Sequence, residues 1–223
     1  MEKKDNSNFY PILISLERFP CLVVGGGKVA CRKVLSLLEF NAEITVISPK
    51  FCKQLLDMYQ RGLIQIIRKS YSKEFIKNYK IIFSTTDNPE TNRIIRNDCN
   101  SEGILLNAAD NPALCDFILP ANIKRGDLTI SISSQGKAPF FTKEMKKKLE
   151  QYITPVYADI MELAGEYRKK LLKEGKIKSV KTKTNMFRKF TSINWEKTLV
   201  PSRHRGQSSR YYIQKILNDF NLK

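Results

Sequence analysis

Histidine is almost absent from this sequence, which has a single one, His204, in a polar and basic stretch near its end. A Ser-His-Asp triad or a histidine proton relay in a folded core is therefore excluded. The sequence also lacks HExxH, an EF-hand loop and paired metal ligands, so no resident metal site is expected. Acid–base chemistry must therefore come from carboxylates, lysine, tyrosine or cysteine.

Long apolar runs are missing as well, since none approaches the about 20 residues that a membrane-spanning helix needs. The first residues show no apolar core followed by a small-residue cleavage site, so no signal peptide is expected. The five cysteines are scattered and form no CxxC pair. This pattern is typical of a reducing compartment and indicates neither a disulfide framework nor a structural zinc site. We therefore predict a cytoplasmic protein that does not act at a membrane.

Acidic residues are scarce relative to basic ones: 22 Asp and Glu stand against 39 Lys and Arg, a net charge of +17. Residues 1–139 carry 19 basic and 14 acidic side chains, whereas residues 140–223 carry 20 and 8. A basic surface attracts polyanions such as nucleic acids, anionic lipids, and polycarboxylate or polyphosphate ligands. Lysine-rich helices that keep a protein in solution explain the charge equally well, so charge alone leaves the ligand class open.

Apolar runs alternate with segments of helical periodicity over the first half of the sequence. The predicted strands are 21–26, 42–49, 63–69, 80–87 and 104–110, and the predicted helices are 28–40, 51–62 and 88–103. Continuous apolar runs are typical of buried parallel strands, and alternation with helices is typical of a doubly wound sheet. The expected fold class is therefore α/β, with a Rossmann-type parallel sheet.

The pattern changes in the second half of the sequence. Residues 116–134 predict two strands around a turn at Arg125-Gly126-Asp127, the second strand half-exposed because apolar and hydroxyl residues alternate along it. Residues 140–176 predict helix with a bend near Pro155. From Lys176 onward the sequence is basic and weakly patterned, which predicts a linker or mobile segment, and residues 208–220 predict a last short helix.

Three consecutive glycines, Gly25, Gly26 and Gly27, stand between the first predicted strand and helix and, with Ala30, match GxGxxA. In this motif the first glycine permits a tight turn, the second lets backbone approach a pyrophosphate, and the alanine lets helix and strand pack closely. The helix N terminus then offers free N–H groups and a partial positive charge to phosphates. A P-loop is excluded because Gly-Lys-Ser/Thr is missing, so the motif predicts a dinucleotide site.

The second predicted strand ends without the acidic residue that usually binds the ribose hydroxyls of NAD. Ser48, Pro49 and Lys50 stand there instead. Lys50 suits a 2′-phosphate, although an exposed lysine is usually an ordinary surface charge, so the residues alone leave NAD and NADP open. Thr86 and Asp87, at the end of the fourth strand, are further candidate cofactor contacts because open α/β sheets bind ligands at that edge.

Two further polar groups follow predicted strands. Asp110 comes after the fifth strand and before Asn111-Pro112, where it either faces a ligand or organises an Asx turn. Ser134, Gly136 and Lys137 lie in the segment SSQGKAP, which is either a substrate contact or a polar cap of the next helix.

Four segments carry a resemblance to one family, in their order and spacing: VVGGGKVACRKVLSLLEFNAEITVISP, FSTTDNPETN, NAADNPALCDFILPA and SISSQGKAP. They resemble the precorrin-2 dehydrogenase family, which includes stand-alone dehydrogenases, bifunctional dehydrogenase/ferrochelatases and the N-terminal module of sirohaem synthases. The resemblance covers about residues 9–150. It implies an NAD-dependent oxidation of precorrin-2, an octacarboxylate tetrapyrrole, to sirohydrochlorin in sirohaem biosynthesis.

The resemblance also implies a domain organisation and a partner. It divides the chain into a Rossmann domain (1–113), a small β dimerisation region (114–150) and a helical C-terminal domain (151–223) with a basic tail. It implies a homodimer with interlocked subunits. The positive charge of the chain then has a candidate ligand, because cationic side chains in a cleft attract a polycarboxylate.

Site residues follow by resemblance at matching positions. The family's NAD contacts match the glycine loop and the end of the second strand, at Lys28, Val29, Pro49 and Lys50. Its key acidic residue, needed for catalysis and implicated in metal chelation, matches Asp110. A serine of its SSGG loop matches Ser134, and this chain departs from that loop because Gln135 replaces one glycine. Gly136 and Lys137 are included as candidate substrate contacts.

Other functions stay open at this stage. Some family members insert Fe²⁺ and others do not, and no residue here decides between them; Asp110 is the candidate if chelation occurs, although dehydrogenation alone is slightly favoured. A non-catalytic NAD-binding redox sensor is the main alternative. A nucleic-acid-binding protein driven by the basic tail is less favoured because the sequence lacks a recognition motif.

Overall fold

One parallel sheet forms the centre of the N-terminal unit in the computed structural model, which describes residues 9–109, 111–173 and 180–203. Its strand order is β3-β2-β1-β4-β5. The strands are β1 (Cys21–Val24), β2 (Ile44–Ile47), β3 (Gln65–Ile67), β4 (Ile81–Ser84) and β5 (Leu105–Ala108). All pairings are parallel, which confirms the predicted α/β fold class. Each strand is shorter than predicted because the ladder ends where the chain turns into the loops at the sheet edge.

Helices cover both faces of this sheet. They are α1 (Lys28–Leu38), α2 (Lys53–Gln60) and α3 (Pro89–Glu102). Residues of α1 and α2 pack in the core of one face, and Ile95 and Cys99 of α3 pack in the core of the other. The ends of α3 agree with the sequence: Pro89 opens the helix, Asn88 caps it by accepting from the Thr91 N–H, and Gly103 ends it at φ 64°.

The order of the strands places the switch point of the sheet at β1 and β4. β1 pairs with β2 on one side and with β4 on the other, so the chain leaves β1 towards one half of the sheet and later returns for the other half. In open α/β sheets, ligands bind at such a point, outside the carboxyl ends of the strands. The glycine loop begins there, directly after Val24.

A second compact unit comprises residues Pro120–Lys223, and the first comprises Met1–Leu119. The second unit begins with an antiparallel hairpin, β6 (Ala121–Arg125) and β7 (Leu128–Ile132), as predicted. It continues with α4 (Pro139–Tyr152) and α5 (Val156–Lys173). The predicted bend near Pro155 is the break between these two helices.

The prediction of a linker from Lys176 onward was wrong for residues 180–203. These residues form α6 (Val180–Thr191) and α7 (Trp195–Arg203). Lysines dominate the local composition, but a few widely spaced apolar side chains supply the core: Phe190 stacks on Tyr167 of α5 at 5.2 Å between ring centroids and lies 4.5 Å from Trp195. The Trp195 indole N–H also donates to the Phe190 carbonyl at 2.8 Å.

His204 and the short helix predicted at 208–220 lie outside the described residues. Within the part of the chain that the structure describes, no helix is both long and apolar enough to cross a membrane.

Candidate functional site

The turn after β1 depends on the conformation of Gly25. Its φ of 123° lies in a region that glycine occupies without strain, and a Cβ there would lie 2.5 Å from the Thr85 hydroxyl oxygen. The Gly25 N–H donates to the Ile47 carbonyl at 2.9 Å. Thr85, directly after β4, donates both its N–H and its hydroxyl to the Val24 carbonyl at 2.8 Å. These bonds join the ends of β1, β2 and β4 into one rigid rim.

Gly26 allows the segment after β2 to approach the glycine loop. A Cβ on Gly26 would lie 1.9 Å from the Lys50 carbonyl oxygen and 2.8 Å from the Ser48 hydroxyl oxygen. The Gly26 carbonyl accepts from the Cys52 N–H at 2.8 Å. The GxGxxA motif allows any residue at this position, so the motif does not predict the need for glycine at Gly26. That need comes from a tertiary contact with the segment after β2.

Gly27 differs from its neighbour because it faces open space. A Cβ there would meet nothing within 4 Å, and the glycine is exposed. It is the N-cap of α1, with no side-chain hydrogen bond to the cap and no acidic residue in the first turn. Its carbonyl accepts from the Cys31 N–H, the first bond of the helix. The start of α1 thus presents a partial positive charge that no acidic residue of its own first turn balances.

The residues around this opening fit the phosphates of a dinucleotide. Backbone can approach a ligand at Gly27 because no side chain intervenes, and Ala30 is fully buried, so helix and strand pack closely behind it. Lys28 is exposed in the first helical turn, where its charge opposes the helix dipole until an anion balances both. Val29, next to it, is half-buried.

The structure brings the segment after β2 beside the glycine loop. Ser48 is buried and its hydroxyl accepts from the Lys50 N–H at 3.4 Å, whereas Pro49 and Lys50 are exposed. This segment meets Gly26 through the Lys50 carbonyl, so the predicted cofactor contacts at 25–29 and 48–50 form one surface.

The segment after β4 has mainly a structural role in the geometry observed. The Thr86 hydroxyl accepts from the Asn88 N–H at 3.0 Å, and the Thr86 carbonyl accepts from the Asn92 side-chain amide at 3.1 Å. Asp87 is exposed and lies between Thr86 and the cap of α3. Both residues follow β4 at the switch point, beside the residue, Thr85, that anchors the end of β1.

Asp110 lies outside the residues that the structure describes, but the chain on either side of it is firmly held. On one side the Ala109 N–H donates to the Ser84 carbonyl at 2.9 Å. On the other side Asp116 accepts at 2.8 Å from both the Leu106 N–H and Arg96. This ion pair is shielded on one side only, since the Arg96 side chain is 14% exposed and the Asp116 side chain 34%.

A half-buried lysine lies close to the end of β5. The Lys33 ammonium donates to the Asn107 side-chain oxygen at 3.4 Å and lies 5.3 Å from the centre of the Phe83 ring. Burial lowers the pKa of Lys33, and the neighbouring Arg32 adds to this effect, while the Cys115 thiol partly opposes it. Sequence reasoning missed Lys33, as it missed Arg96, Asp116 and Cys115, because their partners lie far along the chain.

The SSQGKAP loop belongs to the second unit. The Ser134 hydroxyl accepts from the Ala138 N–H at 2.9 Å, and the Ser134 carbonyl accepts from the Lys137 N–H at 3.0 Å. Gly136 has φ 81°, and Gln135 has φ 57°, a conformation that a residue with a side chain adopts at a cost. The loop therefore has a defined shape in front of α4, with Lys137 exposed.

Among the described residues, no group of three or more His, Cys, Asp or Glu side chains could hold a metal ion. A cavity of about 520 Å³ lies in the second unit, and its lining is mainly apolar, including Met161, Phe187 and Trp195. Arg168 is the cation that the lining contains, so the cavity does not resemble a site for a highly anionic ligand.

Two family models match consecutive parts of the chain. The NAD(P)-binding model matches residues 12–121, and the model described as sirohaem biosynthesis protein central matches residues 125–152. Together they cover the Rossmann unit, the hairpin and α4.

Curated relatives carry the name sirohaem synthase. The chain is 37% identical over 164 residues to the enzyme of Ruthia magnifica subsp. Calyptogena magnifica, covering 74% of this chain and 35% of the relative. It is 35% identical over 163 residues to that of Pseudoalteromonas translucida, covering 73% and 34%. The chain thus matches about a third of the length of these relatives.

A solved structure named SirC, precorrin-2 dehydrogenase, has the same fold. It aligns with a TM-score of 0.69 and 24% sequence identity, covering 93% of this chain and 100% of that one. The likeness supports the arrangement of a Rossmann sheet, a small antiparallel hairpin and a helical C-terminal region.

Proposed function

This chain belongs to the sirohaem biosynthesis family that joins an NAD(P)-binding domain to the sirohaem central region, and from that membership we propose that it catalyses the NAD-dependent dehydrogenation of precorrin-2 to sirohydrochlorin. The observation that carries the proposal is the open, uncapped start of α1 at Gly27, at the switch point of the sheet. It supports a dinucleotide site in a chain whose next segment is the sirohaem central region.

The chain's own residues hold and orient the cofactor. NAD⁺ supplies a hydride acceptor when it is bound. Gly27 and the first N–H groups of α1 receive the diphosphate, and Lys28 adds a positive charge beside it. The segments that follow β1 and β2 are held together by the contact of Gly26 with the Lys50 carbonyl, so the binding surface does not have to form when the ligand arrives. We propose NAD rather than NADP, following the family resemblance.

We propose Asp110 as the catalytic residue, which accepts the proton that leaves the substrate or positions the macrocycle. Three facts support this role: the chain has no histidine other than His204, Asp110 follows the strand next to β4, and the chain on either side of it is anchored by Ala109 and Asp116. A general acid–base residue acts at hydrogen-bond distance from the proton that it transfers.

The variant Asp110→Ala tests this assignment. Turnover should fall by about 10²- to 10⁴-fold, the usual contribution of a general base, while NAD⁺ affinity and unfolding stay unchanged. Asp57→Ala, which removes an exposed carboxylate from α2, is the matched control and should retain full activity. Normal turnover by folded Asp110→Ala would contradict the role.

Substrate contacts are proposed at Ser134, Gly136 and Lys137. The support is the defined backbone of the loop and the exposed Lys137, a cation suited to a substrate carboxylate. Lys137→Ala should raise the KM for precorrin-2 several-fold and leave kcat nearly unchanged, because it removes binding energy that is present before and during the reaction. A fall in kcat alone would contradict a binding role.

We also propose a homodimer in a cytoplasmic setting. None of the residues of α4 is buried within one chain, and Phe140 and Tyr152 are 76% and 70% exposed. The five free cysteines fit a reducing compartment. Light scattering should give twice the chain mass, and Phe140→Glu should shift it towards the monomer.

One anaerobic experiment separates the functions considered. The purified protein is mixed with precorrin-2 and NAD⁺, and NADH and sirohydrochlorin are followed by absorbance. Stoichiometric formation of both supports the dehydrogenase, whereas NAD⁺ binding without turnover supports a redox sensor. Tight, salt-dependent nucleic-acid binding without turnover favours the remaining alternative. Fe²⁺ or Co²⁺ added afterwards tests chelation, in which Asp110 would accept pyrrole protons; we propose dehydrogenation alone as the primary activity.

A further inference from the structure

Two cysteines from different helices meet at the carbonyl of Gly27. Cys31 lies in the first turn of α1 and Cys52 directly precedes α2, and both are free thiols. The Cys31 N–H donates to the Gly27 oxygen at 3.0 Å, and the Cys52 thiol lies 3.9 Å from the same oxygen. The two residues are therefore neighbours in space, although they are not part of a CxxC motif in the sequence.

The two thiols lie in one small cluster. The Cys52 thiol donates to the Gly27 carbonyl, which opens the helix of Cys31, and the Cys31 thiol donates at 3.2 Å to the side-chain oxygen of Gln54, two residues after Cys52. Cys31 is 2% exposed, whereas Cys52 is half-buried. Burial, together with Cys52, raises the pKa of the Cys31 thiol, so this group stays protonated at neutral pH until its neighbour reacts.

We propose that Cys31 and Cys52 are a redox-active pair that forms a reversible disulfide by exchange with a low-molecular-weight disulfide, and that the disulfide weakens dinucleotide binding at the adjacent glycine loop. Cys52 reacts first because it is the accessible thiol: its thiolate attacks one sulfur of the small disulfide and releases one small thiol. Cys31 then loses its proton and attacks the Cys52 sulfur of the mixed disulfide, releasing the second small thiol.

This sequence of steps balances. Two protein thiols are oxidised to one disulfide, and one small disulfide is reduced to two small thiols, which take up the two protons. The reverse reaction with excess small thiol restores the pair.

The effect on the loop follows from how little space surrounds it. A disulfide requires about 2.05 Å between the sulfurs, which is shorter than any non-bonded contact, so the two side chains must approach each other. Because Cys52 directly precedes α2 and its N–H is bonded to the Gly26 carbonyl, the proposal places part of this movement in the backbone there. Gly26 already packs against the Lys50 carbonyl so tightly that a Cβ would not fit, and its carbonyl holds the Cys52 N–H. The movement is therefore transmitted to Gly26 and Gly27, where the phosphates would bind. This second part rests on the dinucleotide site of the proposed function.

The full chain is equilibrated in glutathione buffers of increasing oxidised fraction, alkylated and mapped by mass spectrometry without reduction. We expect a peptide pair joined through Cys31 and Cys52 that dithiothreitol removes. Calorimetry should then show NAD⁺ binding about tenfold more weakly to the oxidised protein than to the reduced protein, a difference well within reach of calorimetry. If oxidation gives only a Cys52–glutathione adduct, the proposal that Cys31 and Cys52 form a disulfide is wrong.

Matched variants isolate the effect. Cys52→Ser should give equal NAD⁺ affinities after oxidising and reducing treatment, and Cys31→Ser should trap Cys52 as its glutathione adduct. Cys115→Ser removes a thiol that bonds to backbone groups instead, and should retain the Cys31–Cys52 link. Equal NAD⁺ affinity of oxidised and reduced wild-type protein would refute the switch, whereas failure of the reduced protein to bind NAD⁺ would contradict the proposed function.

Discussion

The substitution Gly→Ala should have different effects at two adjacent glycines: it should lower the free energy of unfolding at Gly26 and lower the affinity for NAD⁺ at Gly27. At Gly26 the added methyl would lie 1.9 Å from the Lys50 carbonyl oxygen, a separation that no side-chain rotation can relieve because both atoms belong to the backbone framework. At Gly27 the methyl would meet nothing within 4 Å, and the φ of −89° suits alanine. One substitution therefore tests packing, and the other tests the space in front of α1.

The magnitudes follow from these surroundings. Gly26→Ala must separate the glycine loop from the 48–52 segment, and overpacking of this kind costs about 1–3 kcal/mol in the free energy of unfolding. Gly27→Ala should change it by less than about 1 kcal/mol, because a small loss at the N-cap is offset by the lower entropy of the unfolded chain. Its methyl, however, projects into the space that the diphosphate would occupy, so NAD⁺ affinity should fall by at least about tenfold, or 1.4 kcal/mol.

Denaturant unfolding and calorimetric titration with NAD⁺ measure the two effects separately. The expected pattern is a destabilised Gly26→Ala and a stable Gly27→Ala that binds NAD⁺ poorly. A stable Gly27→Ala with wild-type NAD⁺ affinity would refute the reasoning that this opening receives the diphosphate. A Gly26→Ala variant as stable as the wild type would show that the 48–52 segment can move away from the added methyl group at little cost in free energy.

Three further predictions concern stability and pH. Trp195→Ala should destabilise the helical unit by about 3–5 kcal/mol, as for other buried aromatic residues, and early loss of far-UV circular dichroism on denaturant titration would reveal it; an unchanged transition would contradict the role of Trp195 in ordering α6 and α7. Gln135→Gly should stabilise the loop by up to about 1 kcal/mol in unfolding experiments, since φ 57° is costly for a residue with a side chain; destabilisation would show that the Gln135 side chain contributes more than the backbone strain costs. Lys33→Met should have a larger free energy of unfolding than the wild type at pH 7. The gap between the two proteins should shrink as the pH rises through the lowered pKa of Lys33 towards its ordinary 10.5, because the folded wild type releases this proton at a lower pH than the unfolded chain does. A gap that does not depend on pH across this window would contradict the lowered pKa.

The sequence was most informative where structure depends on near neighbours. Apolar runs located all five parallel strands of the sheet, and Asn88, Pro89 and Gly103 marked both ends of α3 because capping acts within one turn. The glycine motif located the start of α1 for the same reason. The assignment of the family rests on similar short segments, and the comparisons confirm it.

Helix formation at 180–203 shows the opposite case. The local sequence is rich in lysine and has only a weak apolar pattern, and this lack of clear periodicity predicted a linker. Phe190, Trp195 and Leu199 become a core only because Tyr167 and Leu163 of α5 lie against them. Burial against a distant helix overrode the weak local signal, as tertiary packing often does.

By itself, therefore, the sequence determined the order of strands and helices, the glycine loop and the kind of ligand that the loop favours. The tertiary structure alone decided which distant groups meet: Gly26 with the Lys50 carbonyl, Arg96 with Asp116, and the Cys52 thiol with the Gly27 carbonyl. Periodicity and capping are encoded within a few residues, whereas these contacts arise only after the parallel sheet has brought the ends of its strands to one edge.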